Sequence, residues 1–133
     1  MMTIKKGAAA FFAAVLCMAG GHAWANKMES VIAVDFLTVE VVMDEPLTAD
    51  VTDPLRFDSA HPPFAFSDGL HMTGAPVPQD VRGYPNTYRI PVSGMDTGVI
   101  YQISYEGQKV KTFKVYDEEE MDERYRMRYG DYF

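Results

Sequence analysis

Cysteine occurs once in these 133 residues, at Cys17, and tryptophan once, at Trp24. Both fall within the first 25 residues, so a chain that loses that stretch has no thiol and no indole. It then has no disulfide to staple it and no cysteine nucleophile to react. Histidine is nearly as scarce, at three residues: His22, His61 and His71. Basic residues are outnumbered, with Lys+Arg 12 against Asp+Glu 19 and a net charge of -7. That balance excludes nucleic acid and anionic lipid as electrostatic partners. There is no Gly-x-Ser-x-Gly elbow, no phosphate loop and no His-x-x-x-His pair, so the common hydrolase, nucleotide and metalloprotease signatures are missing. The sequence argues for a chain that is not an enzyme.

The amino-terminal stretch is the first positive signal. Lys5 and Lys6 precede a charge-free apolar run from Gly7 to Gly20, and Ala23-Trp24-Ala25 follows. A basic start, an apolar centre and an A-x-A site together predict a secretory signal over residues 1–25, cut after Ala25. Two alternatives are weaker. A membrane anchor needs about 20 apolar residues, more than this run supplies. Lipid attachment at Cys17 has the bulky Leu16 before it, where lipoprotein processing sites resemble one another in having a small residue. Cleavage also removes two lysines, so Lys+Arg falls from 12 to 10 while Asp+Glu stays 19, a net charge of -9. The expected mature protein is exported, periplasmic or extracellular, without a membrane span. Its length suits one small domain, residues 26–117, with a tail over 118–133.

The clearest pattern lies between Tyr88 and Asp117. Tyr88, Ile90 and Val92 alternate, then Tyr101, Ile103 and Tyr105, then Phe113 and Val115. A period of two predicts strands with one face on a core. Ser93 to Gly98 reads as a compact turn plugged by Met95, and Glu106-Gly107 as a hairpin turn. Upstream, Val31 to Val34 and Val39 to Met43 read as two more strands, the second ending at Asp44-Glu45-Pro46-Leu47. Thr48 to Pro54 is turn-like. Leu55-Arg56-Phe57 and Phe64-Ala65-Phe66 are candidate short strands. Asp58 to Pro85 holds five prolines and three glycines. That density predicts loops, with one or two short strands among them and Leu70 to Met72 pairing briefly.

After Asp117 the period lengthens. Asp117 and Glu120 fit a capping box, Tyr116 and Met121 a hydrophobic staple, and Gly130 a stop. Glu120–Arg124 and Asp122–Arg126 are i,i+4 pairs. Two readings stand. One is a short helix over 118–129 whose Met121–Tyr125–Tyr129 stripe docks on the domain or on an envelope protein partner, with Phe133 as a further contact. The other is a frayed, solvated tail.

Ile90 to Ile103, with its Pro, Gly-Met-Asp turn and Tyr101, resembles the strand E to strand F corner of immunoglobulin-like and fibronectin type III domains. Val39 to Leu47, with its Asp-Glu-Pro-Leu, resembles the "DEPL" strand of bacterial immunoglobulin-like domains in secreted and surface proteins. The resemblance implies an all-β fold: an immunoglobulin-like antiparallel β-sandwich with a short C-terminal helix or tail. It implies that Tyr101 is a tyrosine-corner residue, ring buried and hydroxyl bonded to backbone upstream. Pro91 departs from the pattern and predicts an edge position or a bulge. The implied role is a secreted binding or structural module of the envelope or cell surface, without a cofactor.

A metal carrier is the alternative. His61, Asp68, His71 and Met72 share the irregular region and can all ligate. Two imidazoles with a thioether suit copper, and with a carboxylate they suit zinc. The chain is also similar here to CopC-type periplasmic copper carriers. Their ligand set usually includes an amino-terminal His, whereas His22 precedes the expected cut. Asp50, Asp53 and Asp58, or Asp117 to Glu120, offer oxygen ligands for calcium. Ser59 and His61 bring a hydroxyl near an imidazole in sequence, which is not yet a triad.

Overall fold

The computed structural model describes residues 26–129, with the side chain of Tyr129 outside the description. The expected signal over residues 1–25 lies outside the described residues, as do Phe133 and the stop at Gly130. In chain order the elements are β1 (Met28–Asp35), β2 (Thr38–Met43), α1 (Ala49–Thr52), a 3-10 turn (Pro54–Arg56), β3 (Phe64–Phe66), β4 (Val77–Val81), β5 (Tyr84–Pro91), β6 (Ile100–Tyr105), β7 (Lys111–Lys114) and α2 (Glu118–Tyr129).

Alternating residues divide these strands into two faces, and the apolar faces meet. One sheet has the order β1-β2-β5-β4 and the other β3-β6-β7, and every pairing is antiparallel. In immunoglobulin letters these are A-B-E-D and C-F-G, the constant-type arrangement. Val39, Val41 and Ile90 of the first sheet and Phe64 and Ile103 of the second are all 0% exposed. Tyr101 stacks on Phe113 with centroids 5.8 Å apart, and Phe64 meets Tyr105 at 4.9 Å. Each such residue contributes about 1.5–3 kcal/mol of transfer free energy, which backbone and side-chain ordering largely offset. The alternating residues noticed in the sequence, two triplets and the pair Phe113 and Val115, are therefore core, but they do not share a sheet. The first belongs to β5 and the other two to the opposite sheet.

The crossing between sheets runs through the turn plugged by Met95. Met95 is buried, and its N–H donates to Phe36 O at 2.8 Å, while Val92 N–H donates to Leu37 O at 2.9 Å. Gly94 and Gly98 sit at φ 127° and 87°, where a side chain would strain the turn. The Tyr101 ring is buried, and its hydroxyl accepts the Asp96 N–H at 3.0 Å. Glu106 and Gly107 both have positive φ, and Gln108 N–H closes the turn on Tyr105 O at 2.9 Å. This is the type I′ geometry that hairpins favour.

One expectation fails locally, and another holds only in part. Leu55 to Phe57 is not a strand: Pro54 opens a 3-10 turn, and the Asp53 side chain accepts Leu55 N–H at 2.9 Å. Proline at the first position with an Asx acceptor before it favours a helical turn over a ladder. The turn-like stretch ahead of it contains the single helical turn α1. Pro91 marks no bulge, and β5 is no edge strand because it lies between β2 and β4, but Pro91 itself has the expected edge position. It is the last residue of β5, beyond the end of β4, and there Thr73 N–H donates to Pro91 O at 3.0 Å. A proline is tolerated where only its carbonyl is needed. The irregular stretch supplies β3 and β4, and Met72 bridges to Val92.

Candidate functional site

The helix α2 is built as its sequence suggests. Asp117 Oδ1 accepts Glu120 N–H at 2.9 Å, and Met121 N–H donates to Asp117 O. Glu120 turns outward to pair with Arg124 at 3.2 Å, and Asp122 pairs with Arg126. Met121 is 2% exposed within the core cluster, with Tyr116 packed against the same cluster. Arg124 lies over the Tyr116 ring, 3.9 Å from its centroid. The stripe is therefore docked on the chain's own domain, as far as Tyr125.

Beneath its carboxyl-terminal half lies an unusual patch. Glu40 on β2 and Arg89 on β5 are directly opposed in the register, both pointing away from the core. An outward glutamate is normally solvated, yet Glu40 is 0% exposed. Arg89 Nε lies 3.1 Å from its carboxylate. The Tyr125 hydroxyl donates to Glu40 Oε1 at 3.3 Å and accepts from Arg89 Nη2 at 2.9 Å. Arg128 bonds to Ser30 on the neighbouring strand. Burial works against the Arg89 cation, but the Tyr125 hydroxyl and the Glu40 carboxylate outweigh it, and its pKa is raised. The cluster holds a helix on a sheet. Strand alternation puts Glu40 and Arg89 on the outward face, but nothing local in sequence announces that α2 will cover them.

Alongside, α2 and strands β1 and β7 enclose a groove of about 550 Å³, with Val31, Ala33 and Phe113 on the strand side and Met127 at the helix.

The residues expected to bind metal are not assembled. Met72 is 2% exposed, its thioether filling the core. His61 and His71 flank β3 on opposite ends: Glu106 N–H bonds to Pro63 O at one end and Ser67 N–H to Gln102 O at the other. His61 Nδ1 sits 3.0 Å from Asp58 Oδ2, and His71 Nδ1 lies 3.0 Å from Gly69 O. Asp68 is exposed, in the turn after β3, and accepts from Ser67 Oγ at 3.3 Å. Among the described residues no three His, Cys, Asp or Glu side chains converge as a metal site. The oxygen ligands considered for calcium are engaged locally instead: Asp50 and Asp53 with Arg56, and Asp58 with Ala60 N–H and His61. The imidazole hydrogen bond holds the Asp58 carboxyl below its usual range, aided by the Ala60 N–H. Among the described residues no hydrogen bond joins Ser59 to His61, whose Nδ1 faces Asp58 instead. No described helix is long and apolar enough to cross a membrane.

The class defined by these features is a seven-stranded immunoglobulin-like sandwich with a helix strapped across one sheet. No protein-family model matches the chain, and no curated protein matches it in sequence. Among solved structures it is similar to the crystal structure of the S-layer protein rSbsC(31-844), at 18% identity and TM-score 0.51, covering 74% of this chain and 14% of that one. It also matches the structure of surface layer protein SbsC, domains 1–6, at 16% identity and TM-score 0.49, with the same coverage. At these identities the likeness is one of fold. This chain spans only 14% of the length of the surface-layer chains it matches.

Proposed function

We propose that this chain is an exported, non-enzymatic sandwich module of the cell envelope or surface, acting there as a binding or structural unit. The observation that carries this reading is the fold shared with part of an S-layer protein. The leader pattern of residues 1–25 points the same way. Fold alone does not assign a role, and an envelope module must also be found outside the cytoplasm. Mass spectrometry on fractionated cells tests this. The expected result is a chain beginning at Asn26 in the envelope or extracellular fraction. A cytoplasmic chain retaining residues 1–25 would overturn the proposal.

A further inference from the structure

Leu55 is 94% exposed, more than any other large hydrophobic residue among those described. It does not hang from a loose loop. The Asp53 carboxylate caps its N–H, Arg56 Nη1 reaches Asp50 at 2.6 Å, and Arg56 Nε lies 3.7 Å from Asp53. On either side, Val51 and Phe57 pack against the core. A side chain held in place in this way loses little further freedom when a partner buries it.

The same end of the sandwich carries a notch of about 210 Å³, lined by Lys27, Met28, Gln108, Lys109, Val110 and Lys111. Val110, 46% exposed, supplies most of its apolar surface, over the edge of the buried Met28, and three lysines line it. Among the described residues no ion pair engages those lysines. Met28 pairs with Met43, where the loop bearing Leu55 leaves β2. Residues 108–111 follow β6, beside the Glu106–Pro63 contact that ends that same loop. Knob and notch thus share one end of the fold.

We propose that this end is a self-association surface, in which Leu55 of one copy enters the lysine-framed notch of a second copy. Charge argues for that occupant. Around the knob Asp50, Asp53 and Asp58 outnumber Arg56, and at the notch Lys27, Lys109 and Lys111 outnumber Asp44, so opposite net signs meet when two ends face each other. Because both parts lie at one end, a two-fold axis makes the contact reciprocal and closes it as a dimer. A contact confined to one end of a small sandwich is expected to be weak and transient, the class that buries below about 1,200 Å². The inference goes beyond the proposed envelope role and does not depend on where the chain resides.

Sedimentation velocity on the purified protein, from ~10 μM to ~1 mM, is the test suited to a weak contact. The expected result is a concentration-dependent shift from monomer to dimer. Losing the burial of one leucine predicts that Leu55→Asp weakens association at least about tenfold. Lys109→Glu with Lys111→Glu should weaken it too, and mixing that variant with Asp50→Lys should restore association as a heterodimer. All these positions are exposed, and unchanged unfolding midpoints would verify that the variants fold. A protein that stays monomeric throughout the range overturns the proposal, as does a dimer unaffected by Leu55→Asp.

Discussion

The Glu40 carboxylate and the Arg89 guanidinium face each other across β2 and β5 at 3.1 Å, with the carboxylate wholly buried and the Arg89 side chain 35% exposed. A charge on the outer face of a sheet becomes buried only because α2 lies over it. The first prediction concerns this pair. Removing one partner of a fully buried pair costs ~3–5 kcal/mol, and solvent at Arg89 lowers the expectation for Arg89→Ala to about 2 kcal/mol. Glu40→Leu combined with Arg89→Met should lie closer to the parent protein. Urea unfolding measures both, and equal losses in the two would show that the pair itself does not matter.

Two tyrosine hydroxyls each accept a backbone N–H, one 41 residues away and one five, and they should differ. Tyr88 accepts the Leu47 N–H at 2.8 Å in a buried setting, and Tyr101 accepts the Asp96 N–H at 3.0 Å where Asp96 is exposed. Tyr88→Phe strands a buried donor, at a cost of about 1–3 kcal/mol, whereas Tyr101→Phe should cost ~1 kcal/mol because water reaches the freed N–H. The reverse order in denaturant midpoints would contradict this account of the corner.

Ending the chain at Asp117 should lower the thermal midpoint, because α2 buries Met121 and covers Glu40. Met121→Ala alone is expected to cost ~2–5 kcal/mol. A midpoint unchanged by the shortening would mean that α2 leaves the domain in solution.

Burial, with the nearby Glu106 and Tyr88, raises the Tyr105 phenol above its ordinary value of 10.0. A folded pKa above the unfolded one means that the neutral phenol stabilises the fold. That contribution is complete below the unfolded pKa and lost as pH rises through the folded one. Stability should therefore decline from about pH 10 upward, and less steeply in Tyr105→Phe. An identical alkaline limb in both proteins would rule Tyr105 out as the cause.

Titration with Cu(II) or Zn(II) should show no stoichiometric site, since His61, His71 and Met72 do not converge. Tight binding lost in His61→Ala or His71→Ala would reinstate the carrier reading.

Sequence alone determined the local features. Alternation at Tyr88 to Val92, Tyr101 to Tyr105 and Phe113 to Val115 marked core faces, because a strand's side chains point to opposite sides in turn. Asp117, Tyr116 and Met121 marked the start of α2, since capping and stapling act within one turn. At the corner only the Tyr101 bond to Asp96 was legible in this way, because it spans five residues, whereas the Met95 and Val92 bonds reach Phe36 and Leu37 on the distant β1–β2 turn. Tertiary structure decided what sits opposite what. It put the first alternating set in one sheet and the other two in the facing sheet, sent Met72 into the core, and separated the two histidines around β3. It also turned an outward Glu40 into a buried partner of Arg89 and Tyr125. Those outcomes depend on contacts spanning 49 and 85 residues. Such pairings are set by how whole faces are covered, and neither residue type nor spacing encodes them.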